Sequence, residues 1–185
     1  MPPANPADQA DPRTAAPGAI CPPVPDLPGG QASVSGFADI DGIPGESTAA
    51  GHRDEIDIVT LHWCVTNQTG PPGGGGGGAG RAVVDGVVVG KHTDLATVPL
   101  VEAAATGQHI ERVVITLERG AKPPFAFLVV ELEEVVVTRV NSSWSGGLPD
   151  EEVAFAFGRI CWQYRRSPGA TPVRFCFDLR TSSPS

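Results

Sequence analysis

"PPGGGGGGAGRAVVDGVVVG", residues 71–90, is the stretch on which the fold turns. A glycine run that opens a helix marks the phosphate cradle of an α/β nucleotide enzyme, in the pattern G-x-x-x-x-G-K-[ST]. The frame Gly75 to Gly80 fits, but any run of glycines fits such a frame. Arg81 stands where the phosphate-binding Lys belongs, and Ala82, which cannot ligate a metal, stands where the hydroxyl belongs. The residues that follow are β-branched and read as a strand, whereas a phosphate loop leads into a helix whose N-terminus holds the anion. The stretch therefore predicts a long connection between two strands. Six consecutive glycines lose much backbone entropy when ordered, so such a connection orders on contact, as an assembly surface does.

Outward from this loop the chain keeps a β pattern. "SVSGFADI" (33–40) is a first strand, closed by the turn cluster "DGIPGES". "EIDIVTLHWCV" (55–65) is a second. Its apolar face switches from Ile56 and Ile58 to Val59, Leu61, Trp63 and Val65, as happens at a bulge or where both faces are buried. "IERVVITLE" (110–118) puts Val113, Ile115 and Leu117 on one face. "PFAFLVVELEEVVVTRV" (124–140) is too long for an ordinary strand, and Glu131, Glu133 and Glu134 predict a bend where two segments meet. "EEVAFAFGRICWQYR" (151–165) carries Val153, Phe155 and Phe157 on one face, then shifts past Gly158 to Ile160, Trp162 and Tyr164. "VRFCFDL" (173–179) alternates, which predicts Val173, Phe175, Phe177 and Leu179 inward. One helix is expected in "DLATVPLVEAAATG", with Thr97 as N-cap, Pro99 in the first turn and Gly107 ending it. Leu100, Ala103 and Ala104 would form its packed face. The expectation is a mainly β chain, a two-sheet β-barrel with one short helix packed on its side.

Composition narrows the function. The 185 residues suit one domain with a core large enough to stand without staples. Residues 1–34 hold nine of the 19 prolines and lack periodicity, so they read as a Pro-rich disordered arm. Residues 35–180 form the barrel domain and 181–185 a flexible tail. Net charge is −8 and the basic residues are scattered, which argues against nucleic acid. No run is long enough to span a bilayer, and no signal peptide is visible. Cys21, Cys64, Cys161 and Cys176 make no C-x-x-C pair. The favoured reading is buried, reduced thiols, with a disulfide that sequence cannot pair as the alternative.

Catalytic constellations are not found. His62 and Cys64 would share a strand face, which favours packing over a catalytic pair. Asp39, Asp41 and Asp57 lack the spacing of a calcium loop. Glu131, Glu133 and Glu134 lie along one strand, where a glycosidase needs carboxyls on both sides of a bond. No catalytic residue, cofactor or metal site is expected. A β-sandwich ligand-binding module, for carbohydrate as an example, remains as a different class, although an aromatic platform is missing.

The ordered set "FADIDGIPGES", "EIDIVTLHWCVTNQ", "GGGGGAGR", "GKHTDLATVPLVEAAATGQHI", "VVITLERG", "FLVVELEEVVVTRV" and "EEVAFAFGRICWQY" resembles the Hcp family, the tube protein of the type VI secretion system. The resemblance covers about residues 33–166. It implies a non-enzymatic subunit that forms homo-hexameric rings. The rings stack into a hollow tube that carries secreted effectors in its lumen, alongside sheath and spike proteins. It implies assembly in the cytoplasm and export through the secretion machine, with no nucleic acid and no membrane insertion. By resemblance, Gly73, Gly74, Gly75, Gly76, Gly77, Gly78, Ala79, Gly80 and Arg81 would be ring-stacking residues. The tube of a phage-tail-like contractile particle shares this fold and is the close alternative. The chain departs from the family pattern at Arg81, where Lys is common, at Leu61 and Cys64, where Trp and Gly are common, and at Thr97-Val98, where "SP" starts the helix.

Overall fold

A computed structural model describes residues 33–68, 81–120 and 123–184. The Pro-rich arm through residue 32 and the glycine run lie outside the described residues. Eleven strands and one helix follow in order: β1 Val34–Ile40, β2 Ile56–His62, β3 Val65–Gln68, β4 Arg81–Val84, β5 Val87–His92, α1 Thr97–Thr106, β6 His109–Arg119, β7 Phe125–Ser143, β8 Asp150–Ala156, β9 Arg159–Tyr164, β10 Val173–Asp178 and β11 Ser183–Pro184. Nine strands form one sheet in the order β11-β10-β9-β7-β6-β1-β2-β5-β8, and β8 pairs back onto β7. That last pairing closes β7-β6-β1-β2-β5-β8 into a six-stranded barrel. The β3–β4 ribbon is a separate two-stranded sheet.

The barrel closes because β7 changes partner halfway along one edge. Its residues Leu128–Glu133 pair with β9, and Val136–Ser143 pair with β8. Between them Glu134 adopts φ 55°, a left-handed conformation that is unfavourable for a side chain with a Cβ. This is the bend expected at the Glu cluster. Gly158, at the break between β8 and β9, faces it and donates its N–H to the Glu133 and Glu134 carbonyls at 3.0 and 3.2 Å. A Cβ there would displace the tip of the Glu134 side chain and sit tightly, at 3.2 Å, against its Cβ, so a small residue suits this position. β8 turns into the barrel at this point. β9 leaves it with β10 and β11 as a flap.

Inward positions follow the period-2 pattern. Val113 and Ile115 of β6, Val130 and Leu132 of β7, and Val153 and Phe155 of β8 are fully buried. The switch of face in β2 is a register shift between Ile58 and Thr60, with Val59 thrown outward. β2 ends at His62 rather than running on to Val65. α1 packs against β7 and buries Leu100 and Ala103, and Gly107 ends it at φ 67°. The N-cap is Ala96, not Thr97, and no side chain caps it. Asp94 accepts from the Ala96 N–H instead, because the Thr97 hydroxyl is engaged elsewhere.

Three further expectations are corrected. Val173 and Phe175 are exposed, at 73% and 52%, because β10 is an outer strand of the flap. Only Phe177 of that alternation is buried with the core, while Leu179 is half-buried against it. Ser183 and Pro184, expected in a loose tail, pair with Asp178 and Phe177. Cys161 and Cys176 are not reduced but form a disulfide. They are directly opposed on β9 and β10 with Cα atoms 4.0 Å apart, a proximity that comes from strand register. Fifteen residues separate them, and closing such a loop is worth about 3 kcal/mol. Reduction is expected to lower the melting temperature and to speed amide exchange in β10 while the β6 and β7 amides stay protected. Equal protection of β10 with and without reductant would show that the bond adds nothing.

Candidate functional surfaces

Two buried charges join the helix to the barrel. The alternation that points Val87 and Val89 inward points Lys91 inward as well, and Glu151 shares a face with Val153 and Phe155. β5 and β8 pair so that Lys91 and Glu151 are direct partners. Lys91 is 2% exposed and Glu151 4%. The Lys91 ammonium reaches Glu151 at 2.8 Å, Asp94 at 2.7 Å and the Thr97 hydroxyl at 3.2 Å. Thr93 donates its hydroxyl to Glu151 at 2.9 Å, and the Thr97 hydroxyl lies 2.9 Å from the same carboxylate. Burial pushes the Glu151 carboxyl up, but the hydrogen bonds from Lys91, Thr93 and Thr97 outweigh it and hold its pKa below the ordinary value. Every polar atom here has a partner, so the cluster is an anchor rather than a reaction centre.

His52 makes a second tie. Its ring stacks on Phe37 at 4.0 Å, with Glu55 at 2.8 Å and Glu118 at 3.3 Å from its two nitrogens. Burial lowers the imidazole pKa, and hydrogen bonds to the two carboxylates raise it further than burial lowers it. A raised folded pKa contributes stability that is complete below the ordinary value of 6.5 and fades as pH climbs through the folded value. The melting-temperature gap between wild type and His52→Gln is therefore expected to be wider at pH 6 than at pH 9. A pH-independent gap would show that only the ring stacking matters.

The other candidates from sequence do not assemble into chemistry. Glu131, Glu133 and Glu134 are ion-paired, with Arg112 at 2.8 Å, Arg159 at 2.7 Å and Arg180 at 2.6 Å. Cys64 lies in the short link between β2 and β3 and is disulfide-bonded, so it offers His62 no thiol. No group of three or more His, Cys, Asp and Glu among the described residues could hold a metal ion. No described helix is long and apolar enough to cross a membrane. Of the expected stacking residues, Arg81 opens β4 opposite Gln68. It begins a strand, which is the wrong context for a phosphate loop. Gly73 through Gly80 lie outside the described residues.

An apolar groove of about 500 Å³ runs between the β3–β4 ribbon and the flap, lined by Trp63, Val65, Leu128, Trp162, Phe175 and Phe177 among others. Trp162 stacks against Phe175 at 6.0 Å. Sequence reading missed this groove because it placed β10 inside the barrel.

A family model described as "Type VI secretion system effector, Hcp" matches residues 37–164, from the middle of β1 to the end of β9. The chain belongs to the Hcp family of type VI secretion proteins. As an Hcp chain it is 29% identical over 156 residues to "Protein hcp1" of Pseudomonas aeruginosa, covering 80% of this chain and 96% of that one. Its fold is similar to a structure titled "Structure of a type six secretion system protein", with TM-score 0.77, 24% identity, and 83% and 100% of the two chains covered. It is also similar to Hcp1 from Salmonella typhimurium, with TM-score 0.70, 21% identity, and 82% and 99% coverage. The family match spans the strands that close this chain's barrel, β7 and β8, and extends through β9.

Proposed function

We propose that this chain is the repeating subunit of a type VI secretion tube, in which six copies close a ring and rings stack around a lumen that carries effectors. One observation carries the reading. The barrel has closed on itself, yet two separate apolar surfaces remain exposed. Leu95, in the turn that leads into α1, and Val98 and Val101 on the helix are exposed at three-residue spacing, and Val98 is 74% exposed. On β2, Val59 is 64% exposed and shares a hollow with Val34. α1 packs against β7, and β2 lies three strands from β7 in either direction round the barrel. A ring built by rotation needs two different patches on each subunit, one to meet the next copy and one to meet the last. Catalysis has no part in this role. Export follows from the family's secretion context, and sheath and spike proteins would be the further partners.

Stacking is assigned to Gly73–Gly80, which lie between β3 and β4 in the sequence, and to Arg81, which opens β4; the two strands form a sheet of their own. Light scattering is expected to give six times the 19.1 kDa chain mass, and negative-stain images of that peak should show rings with a hole. Val98→Asp should return the mass to that of one folded chain. Wild-type protein that stays monomeric at every concentration, with no rings in the images, would count against the tube reading.

A further inference from the structure

The groove between ribbon and flap has a candidate occupant in this chain's own Pro-rich arm. Cys64 sits between Trp63 and Val65, two of the groove residues, and is disulfide-bonded. The sequence has four cysteines, and Cys161 and Cys176 bond each other, so Cys21 is the cysteine that remains. Cys21 begins the run Cys21-Pro22-Pro23-Val24-Pro25. Proline-dense segments favour the extended polyproline-II helix, which binds aromatic-lined grooves at little entropic cost. The groove supplies the aromatic surface in Trp63 and in the stacked Trp162–Phe175 pair. It also has a donor to spare: Trp162 Nε1 is buried without a hydrogen-bond partner among the described residues. A polyproline-II backbone leaves its carbonyls free to accept such a bond.

The chain can reach. Gly36, Leu117, Leu128 and Tyr164 lie in one row across β1, β6, β7 and β9. β1 begins at Val34, two residues along from Gly36, so the arm enters the sheet two strand spacings across and two residues along from the groove residue Leu128, roughly 12 Å away. From Cys21 to Ser33 there are 33 − 21 = 12 steps along the chain, enough to span up to about 40 Å.

We propose that residues 21–25 lie in this groove as a polyproline-II strand, fastened by a Cys21–Cys64 disulfide, with Val24 against the Trp162–Phe175 pair. Forming the bond takes two protons and two electrons from the two thiols. They pass to an external disulfide, which is reduced to two thiols. The tether makes seating intramolecular, so even a weak fit is occupied.

Two measurements on the full chain test this. Peptide mapping without reductant should recover the Cys21 peptide linked to the Cys64 peptide. Cys21 that alkylates as a free thiol overturns the proposal. Fluorine NMR on protein carrying 5-fluorotryptophan reads the seat itself. Val24→Asp should shift the Trp63 and Trp162 signals and leave Trp144, which stands exposed beyond β7, in place. Unmoved Trp63 and Trp162 signals overturn it. So do signals that move on dilution regardless of Val24, since a second copy would then fill the groove. Both readouts belong to a single chain and hold whether light scattering finds monomers or rings, so failure of the ring reading is distinguishable.

Discussion

Lys91→Met is expected to cost roughly 3–5 kcal/mol, the range for removing one partner of a buried ion pair. The reason lies in what stays behind. Glu151 would keep its place between β5 and β8 with only the Thr93 and Thr97 hydroxyls for company, and Asp94 would lose its 2.7 Å contact with the ammonium. A buried carboxylate without a cation either goes uncompensated or takes up a proton. Replacing the pair together, with Lys91→Met and Glu151→Leu, should recover most of the loss, since a buried ion pair is often no more stabilising than apolar side chains of similar volume. Urea unfolding with an unchanged slope is the measurement. A single variant within about 1 kcal/mol of wild type would show that the pair is solvated, and a double variant worse than the single would show that it fixes the helix by geometry. Acid adds a check with a defined sign. Because Glu151 has a lowered pKa in the fold, its contribution is complete above the ordinary value of 4.5 and is lost as pH falls through the folded value.

Val130→Asp should abolish soluble folded protein. Val130 is fully buried on β7, opposite Ile115 of β6 and Trp162 of β9. An unpaired carboxylate at that point costs several kcal/mol on top of the lost packing, against a total stability of about 5–15 kcal/mol for a typical domain. Val130→Ala keeps the site apolar and should cost about 2 kcal/mol. Val129→Thr, one residue along and facing Thr116 and Gln163, should cost under about 1 kcal/mol. Expression in the soluble fraction followed by thermal melts separates the three. A soluble, cooperatively melting Val130→Asp protein would remove this strand from the core.

Much of this architecture is legible one strand at a time. Alternation identifies the inward faces of β6 and β8, the switch of face in β2 marks its bulge, and the Glu cluster marks the bend of β7. The helix and its Gly107 terminus follow from composition and position. These are local properties, fixed by the period of a strand or a helix and by glycine's access to positive φ. The same alternation errs for β10, because parity states which side chains share a face but not whether anything covers that face. Val173 and Phe175 share a face with Phe177, and the flap lies outside the barrel wall.

What sequence alone determined is therefore parity, turns and the family's ordered motifs. Lys91 and Glu151 each fall on an inward parity, and each can be picked out as an odd residue on an apolar face. That they meet depends on the β5–β8 register, across 60 residues of chain. The Cys161–Cys176 bond depends in the same way on the β9–β10 register. The groove depends on where the ribbon lies beside the flap. Register and docking are long-range choices made by the closing of the barrel, and no short-range periodicity encodes them.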